Sequence, residues 1–321
     1  MSNGGPAGAA DLGLIGCGLV GRHFGSRAAR AGIRLVVHDS SRDKAARLLA
    51  DGAVWADTPA EVAHGANAVV LCLPSPDASH SAIFGPNGLL EGASARTVVV
   101  ETSTVGPAAV RRMADQLAGH SVELIDAALS RAGGDAASPQ ITLYVGCRPR
   151  TYPAIRPVLS ALADTLLYCG PVGCGQVAKL VNNLVTQTHI VLLGEALAVG
   201  VKAGLPLETL TAALAAGTGQ SRACDLLLAE SVFRGDFRPG LKLAHARKDL
   251  RLANELAREL GVPLDASADA IALYDRAEGE GWGQETAHAV LRLIEARAGV
   301  SLRLAPYRDD GSGSEPPGPA R

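Results

Sequence analysis

An excess of charge of either sign is missing from this 321-residue chain, in which 30 Lys and Arg stand against 32 Asp and Glu for a formal net charge of -2. Without a basic surplus there is no electrostatic footing for general binding to nucleic acid or an anionic membrane, so the expected partners are small molecules. Long hydrophobic runs are missing as well. No apolar stretch reaches the roughly 18 to 20 residues of a membrane span without a polar interruption, and the N-terminus MSNGGPAGAAD has no basic segment backed by an apolar one. A cytoplasmic protein with no membrane partner is the expectation. The six cysteines (Cys17, Cys72, Cys147, Cys169, Cys174 and Cys224) show no CxxC spacing, which points to reduced thiols and away from disulfides or zinc. Eight histidines form no HExxH-like set, and no metal is expected. Aromatic residues are scarce at 3%, while Ala and Gly abound; 47% hydrophobic and 19% charged residues describe a globular chain.

At about 100 to 200 residues per domain this length predicts two domains. The first ten residues and residues 305–321 are rich in Gly, Pro and Ser and read as disordered tails. Between Asp11 and about Tyr168, apolar β-branched runs (Leu12 to Ile15, Arg34 to His38, Ala68 to Cys72, Thr97 to Glu101, Val122 to Asp126, Ile141 to Val145) alternate with Ala-rich amphipathic stretches. That alternation predicts an α/β domain with a mainly parallel sheet covered on both faces. After Gly170 to Gly175 only helices are expected, over about Gln176 to Lys202, Leu207 to Ala216, Arg222 to Ser231, Leu241 to Leu260, Ala266 to Ala277 and Gln284 to Ala298. The predicted organisation is a Rossmann-like domain over 11–172 and an all-α substrate and dimerisation domain over 173–304, joined through a long helix, with the site in the cleft between them.

Gly16-Cys17-Gly18-Leu19-Val20-Gly21 follows the first strand directly and opens an Ala-rich helix. In that context Gly16 permits a tight turn, Gly18 lets backbone N–H groups approach a pyrophosphate, and Gly21 lets the helix pack on the strand. A lone GxGxxG is weak, but the second strand ends in Asp39, 18 residues beyond Gly21, where an acid that reads the adenosine ribose belongs. Asp39 would repel a 2′-phosphate, which favours NAD. Arg42 keeps NADP as the alternative, against its reading as a solvated charge at a helix start.

A second constellation lies on the long helix. Lys179 and Asn183 are one turn apart on one face of an otherwise apolar segment, and Gln187 continues the stripe. A buried Lys must find partners or lose proton affinity, and either suits an acid/base that exchanges a proton with a hydroxyl or carbonyl oxygen; the plainer reading is a Lys snorkelling from a helix end.

Leu12-Gly-Leu-Ile-Gly-Cys-Gly-Leu-Val-Gly21, Leu73-Pro74, Glu101-Thr-Ser103-Thr104-Val-Gly-Pro107, Asp126-Ala-Ala-Leu-Ser130, Gly173 to Asn183 with Lys179 inside it, Glu195 and Lys248-Asp249 stand in unbroken order. In these motifs the chain resembles the β-hydroxyacid dehydrogenase family, the group of 3-hydroxyisobutyrate dehydrogenase, tartronate semialdehyde reductase and, more distantly, 6-phosphogluconate dehydrogenase. The resemblance implies NAD(P)-dependent exchange of hydride with a small anionic β-hydroxyacid or its semialdehyde. It implies Lys179 as general acid/base and Asn183 as its substrate-orienting partner. It places Ser130, in a substrate-side loop, and Ser103 at the substrate, and Leu73, Pro74, Thr104 and Lys248 at the cofactor. A homodimer or homotetramer is implied too.

The departures are Glu101 for Asp, Ser130-Arg131-Ala132 for Ser-Gly-Gly, Asp135-Ala136 for a Gly-Ala pair, and Thr286 and His288 for Asp and Ser. Arg131 is a candidate to hold the acid group of a different substrate, a sugar acid or a sulfonate, in a bidentate fork; the alternative is a solvated loop charge. His288 reads as a partly exposed helix residue. Two rival functions share the fold: an imine reductase, against which retention of Lys179 argues, and a cofactor-binding protein without turnover, against which Ser103, Lys179 and Asn183 argue.

Overall fold

The computed structural model describes residues 12–130, 140–224, 231–238 and 240–304. Both expected tails and Arg131 lie outside the described residues, as does most of the helix expected over Arg222 to Ser231. The chain divides into two compact units, one of residues 1–185 with 245–271 and one of 186–244 with 272–321.

In the first unit eight strands form one sheet: β1 (Leu12–Ile15), β2 (Leu35–His38), β3 (Val54–Trp55), β4 (Ala68–Leu71), β5 (Val98–Glu101), β6 (Glu123–Ser130), β7 (Thr142–Gly146) and β8 (Thr165–Gly170). Their order is β3-β2-β1-β4-β5-β6-β7-β8. Every neighbouring pair is parallel except β6 and β7. The apolar runs are continuous because both faces are covered. Leu12, Leu14, Val70 and Val100 face one core with Phe24, Leu48, Ile155 and Leu159. Ile15, Val69, Leu71 and Val99 face the other with Val62, Ile83, Val110 and Leu117. The period of two along each strand thus survives in the two cores, although hydrophobicity does not alternate.

Two strands escaped the sequence reading. β3 has only two residues, too few to carry a period, and β8 is an edge strand whose Leu167 and Tyr168 are exposed, so no alternation marks it. The segment Asp126 to Ser130, expected to be a loop, is strand, because β6 pairs along this stretch with β7 through Ser130↔Thr142. The strand order reverses between β1 and β4, and there the Cys72 N–H donates to the Ile15 carbonyl at 2.9 Å. The loops leaving β1 and β4 are therefore neighbours at the switch point, where open α/β sheets bind ligands.

The long helix, Cys174–Lys202, starts in the first unit and ends in the second. By length and composition it could cross a membrane, a test that apolar core helices also pass. In the second unit Gly200 admits Leu210 of the helix Leu207–Ala216, whose Cδ2 would lie 2.5 Å from an added β-carbon. The helix expected over Gln284 to Ala298 is instead two 3-10 turns, Trp282–Gln284 and Ala287–Val290, before Leu291–Ala298. Tertiary bonds override helix propensity here: the N–H groups of Thr286 and Ala287 donate to the carbonyls of Phe237 and Leu241, and the Glu285 carbonyl accepts from Leu243. His288 is consequently buried in a turn and not partly exposed on a helix.

Candidate active site

The turn after β1 has the geometry of an anion cradle. Gly16 has φ +99°, and a β-carbon there would strike the Cys72 carbonyl; one on Gly21 would strike the Gly16 carbonyl. Gly18 differs: its β-carbon would meet nothing within 4 Å. Gly18 caps the helix Leu19–Arg30 without a side-chain bond, and no acid stands in the first turn. Open space in front of unsatisfied N–H groups at a twelve-residue helix's positive end fits the pyrophosphate of a dinucleotide.

Asp39 lies at the end of the neighbouring β2, 8% exposed. Its Oδ2 accepts from the Cys17 N–H at 2.8 Å, and its Oδ1 from the Ser41 N–H at 2.9 Å and the Lys44 ammonium at 3.1 Å. Burial opposes ionisation, yet the two N–H groups and Lys44 together hold this carboxyl below its usual range. Arg42, the cation singled out from sequence, sits 5.4 Å from the centre of the Trp55 ring. Lys44 was overlooked because it lies five residues past the acid in an ordinary charged turn, and only the register of that turn brings it back.

Beyond β4 and β5, the Leu73 N–H donates to the Ser103 hydroxyl at 2.8 Å, and the Ser103 N–H to Glu101 Oε1 at 2.8 Å. The Lys248 ammonium donates to the Thr104 carbonyl at 2.7 Å. Leu73, the neighbours Ser103 and Thr104, and Lys248, three places far apart in sequence, are thus tied together. Glu101 is fully buried, and burial pushes its carboxyl up to about 7 against the opposing hydrogen bond from the Ser103 N–H.

Lys179 and Asn183 project from the long helix within the same unit. Asn183 Nδ2 donates to Asp249 Oδ2 at 2.6 Å, and Asn183 Oδ1 accepts from Asn182 at 3.1 Å. Asp249 Oδ1 is buried without a hydrogen bond among the described residues, 3.4 Å from the Lys248 ammonium. Lys179 is half-buried, and no hydrogen bond or ion pair to a described residue engages its amine. Desolvation lowers its proton affinity, the Asp249 carboxylate raises it, and Lys248 lowers it; the net direction is down. Gln187, the third member of the polar stripe, belongs to the second unit and accepts from the Tyr274 hydroxyl, a structural bond. Ser130 is buried at the end of β6.

The head of the long helix is held from inside. Asp126 accepts from the Gly173 N–H at 2.6 Å and the Gln176 N–H at 2.8 Å. Burial nevertheless pushes its carboxyl up to about 6. Gln176, to which the sequence assigned nothing, binds the turn 103–106 through its side chain. The one available signal was a polar residue directly after Gly173-Cys-Gly175, at the start of an apolar helix.

Residues 11–170 match the model of the NAD-binding domain of 6-phosphogluconate dehydrogenase, and residues 173–294 that of the NAD-binding domain of NADP-dependent 3-hydroxyisobutyrate dehydrogenase. The 2-(hydroxymethyl)glutarate dehydrogenase of Eubacterium barkeri is 30% identical, over 91% of this chain and 97% of its own. The 3-sulfolactaldehyde reductase of Escherichia coli is 26% identical over 92% and 99%. The crystal structure of a 3-hydroxyisobutyrate dehydrogenase from Salmonella typhimurium superposes with TM-score 0.79 at 25% identity, over 88% of this chain and 99% of that one.

Proposed function

The chain belongs to the β-hydroxyacid dehydrogenase family, and on that premise we propose that it is a nicotinamide-dependent oxidoreductase that interconverts a small anionic β-hydroxyacid and its semialdehyde. When bound, the nicotinamide supplies the hydride acceptor or donor. Gly18 and the first turn after it receive the pyrophosphate, Asp39 reads the ribose and favours NAD, and Leu73, Pro74, Thr104 and Lys248 line the rest of the cofactor. Lys179 exchanges the proton at the reacting oxygen while Asn183, held by Asp249, orients the substrate. Ser103 and Ser130 contribute hydroxyls to it.

The observation that carries this reading is the state of Lys179: an amine on an apolar helix, without a hydrogen bond or ion pair to a described residue, one turn from an Asn fixed by Asp249. An amine with lowered proton affinity takes a proton from an alcohol during oxidation and returns it during reduction. The relatives' names share one chemical pattern, an alcohol or aldehyde carbon close to a carboxylate or sulfonate, and Arg131 is the proposed partner of that anion. A homo-oligomer is also proposed; exposed Val185, Leu192 and Val199 recur at seven-residue steps along the long helix and support it.

The test is a panel of C3 to C5 hydroxyacids, sugar acids and sulfonate analogues assayed with NAD and NADP separately. On the best substrate, Lys179→Ala is expected to lower kcat by roughly 100-fold or more with cofactor affinity nearly unchanged. A variant that keeps most of its turnover removes Lys179 from the reaction.

A further inference from the structure

Gln176 stands three residues before Lys179, about 4.5 Å along the helix axis at 1.5 Å per residue, and its side chain is fully buried. Its Oε1 accepts from the N–H groups of Val105 at 3.0 Å and Gly106 at 3.1 Å, and its Nε2 donates to the Ser103 carbonyl at 2.9 Å. Three bonds from one amide to the backbone of a four-residue turn leave that turn no freedom to slide or tilt against the helix.

The turn so gripped is itself part of the cofactor-lining framework. Its Thr104 carbonyl takes the Lys248 ammonium, and its Ser103 hydroxyl takes the Leu73 N–H. Asp126 grips the same helical turn by its N–H groups, and Gly175 leaves room for it: a β-carbon there would lie 2.7 Å from Asp126 Oδ2. A helix end needs only a cap or water to satisfy its N–H groups. Here a buried carboxylate binds the main chain of the first turn and a buried amide on that turn binds the segment opposite. The consequence is a fixed spacing between the helix that carries Lys179 and the turn 103–106.

We propose that Gln176 is a positioning residue for the reaction: by clamping the head of the long helix to the cofactor-lining turn 103–106, it holds the Lys179 amine at the distance from the reacting oxygen that proton exchange requires. This rests on Lys179 being the acid/base. The sensitivity is large in principle, since a misplacement of about 1 Å at a reacting group costs on the order of 100-fold in rate.

The experiment is a double-mutant cycle of Gln176→Met and Lys179→Ala, with kcat, substrate KM and cofactor Kd measured for all four proteins on the best acid of the panel. Gln176→Met keeps the length of the side chain and removes all three bonds. Alone it is expected to lower kcat about 10- to 100-fold with KM and Kd within threefold; in the Lys179→Ala background it changes kcat less than threefold, because the group it positioned is gone. Losses that multiply, or a Gln176→Met enzyme with parental kcat, overturn the proposal while leaving Lys179 in place. Parental turnover in Lys179→Ala overturns the acid/base assignment itself. Should Gln176→Met fail to fold, the cycle is run with Gln176→Glu, which keeps an acceptor for both N–H groups and turns the donation to the Ser103 carbonyl into a repulsion between two oxygens, with the same non-additivity expected and the same multiplication of losses counting against the clamp.

Discussion

Asp39 and Glu101 are both buried carboxyls at the ends of parallel strands, yet their surroundings push them in opposite directions. Asp39 accepts two N–H groups and an ammonium, and stays ionised. Asp39→Ser removes the charge that repels a 2′-phosphate and releases Lys44, so the ratio of kcat/KM for NADP over NAD is expected to rise at least tenfold. An unchanged ratio would mean that the ribose is read elsewhere. Glu101 has lost water without gaining an ion pair to a described residue, and its acid form is favoured up to about 7, from 4.5 for the free group. A folded-state value above the unfolded one means that the native protein binds the extra proton between those limits; stability is fullest below 4.5 and falls as pH rises through 7. Glu101→Gln, neutral at every pH, should therefore stabilise the protein more at pH 8 than at pH 5, by on the order of 3 kcal/mol for a shift of this size. Equal changes in unfolding free energy at both pH values would show that the carboxyl is not titrating there.

At the scale of elements, the turn that opens the helix Leu19–Arg30 lets folding be told apart from the proposed cofactor binding within one loop. Gly16 and Gly21 are dictated by the fold itself, since carbonyls fill the space where their β-carbons would go, whereas around Gly18 that space is open. With φ -66° Gly18 lies in a region any residue adopts. Gly18→Ala is thus expected to shift Tm by no more than a few degrees while weakening NAD binding about tenfold or more, by placing a methyl group where the pyrophosphate approaches; calorimetry and cofactor titration separate the two effects. Parental affinity for NAD in this variant would place the phosphates away from the helix end. The two elements at the chain's extremes of legibility make the complementary point. The helix Leu207–Ala216 matches its sequence reading because its apolar face and its start after Pro206 are local properties. The stretch from Gln284 to Val290 does not, because its geometry is set by bonds from Thr286 and Ala287 to residues more than forty positions earlier.

At the scale of the whole molecule, a net charge of -2 and a long helix with exposed valines and one exposed leucine mean that the proposed association would be driven by apolar surface and not by charge. Leu192 is 59% exposed on that helix. Leu192→Glu is expected to convert the proposed oligomer into monomer, read as the mass in light scattering, with the spectrum of the folded protein retained. A parent that is already monomeric removes the oligomer from the proposal.

What the sequence determined by itself was whatever depends on neighbours along the chain: the parallel sheet, through continuous β-branched runs; the tight turn after β1, through three glycines at fixed spacing; and the placement of Lys179 and Asn183 one turn apart on the long helix, through the helical period. Tertiary structure decided the rest. That Lys44 neutralises Asp39, that Asp249 holds Asn183, that Lys248 reaches Thr104 and that Gln176 grips the turn 103–106 are meetings of polar groups set by strand order and helix placement. A polar side chain looks the same in a sequence whether water or a distant carbonyl satisfies it, and only burial makes the difference matter, because a buried polar atom without its partner costs more than the bond contributes.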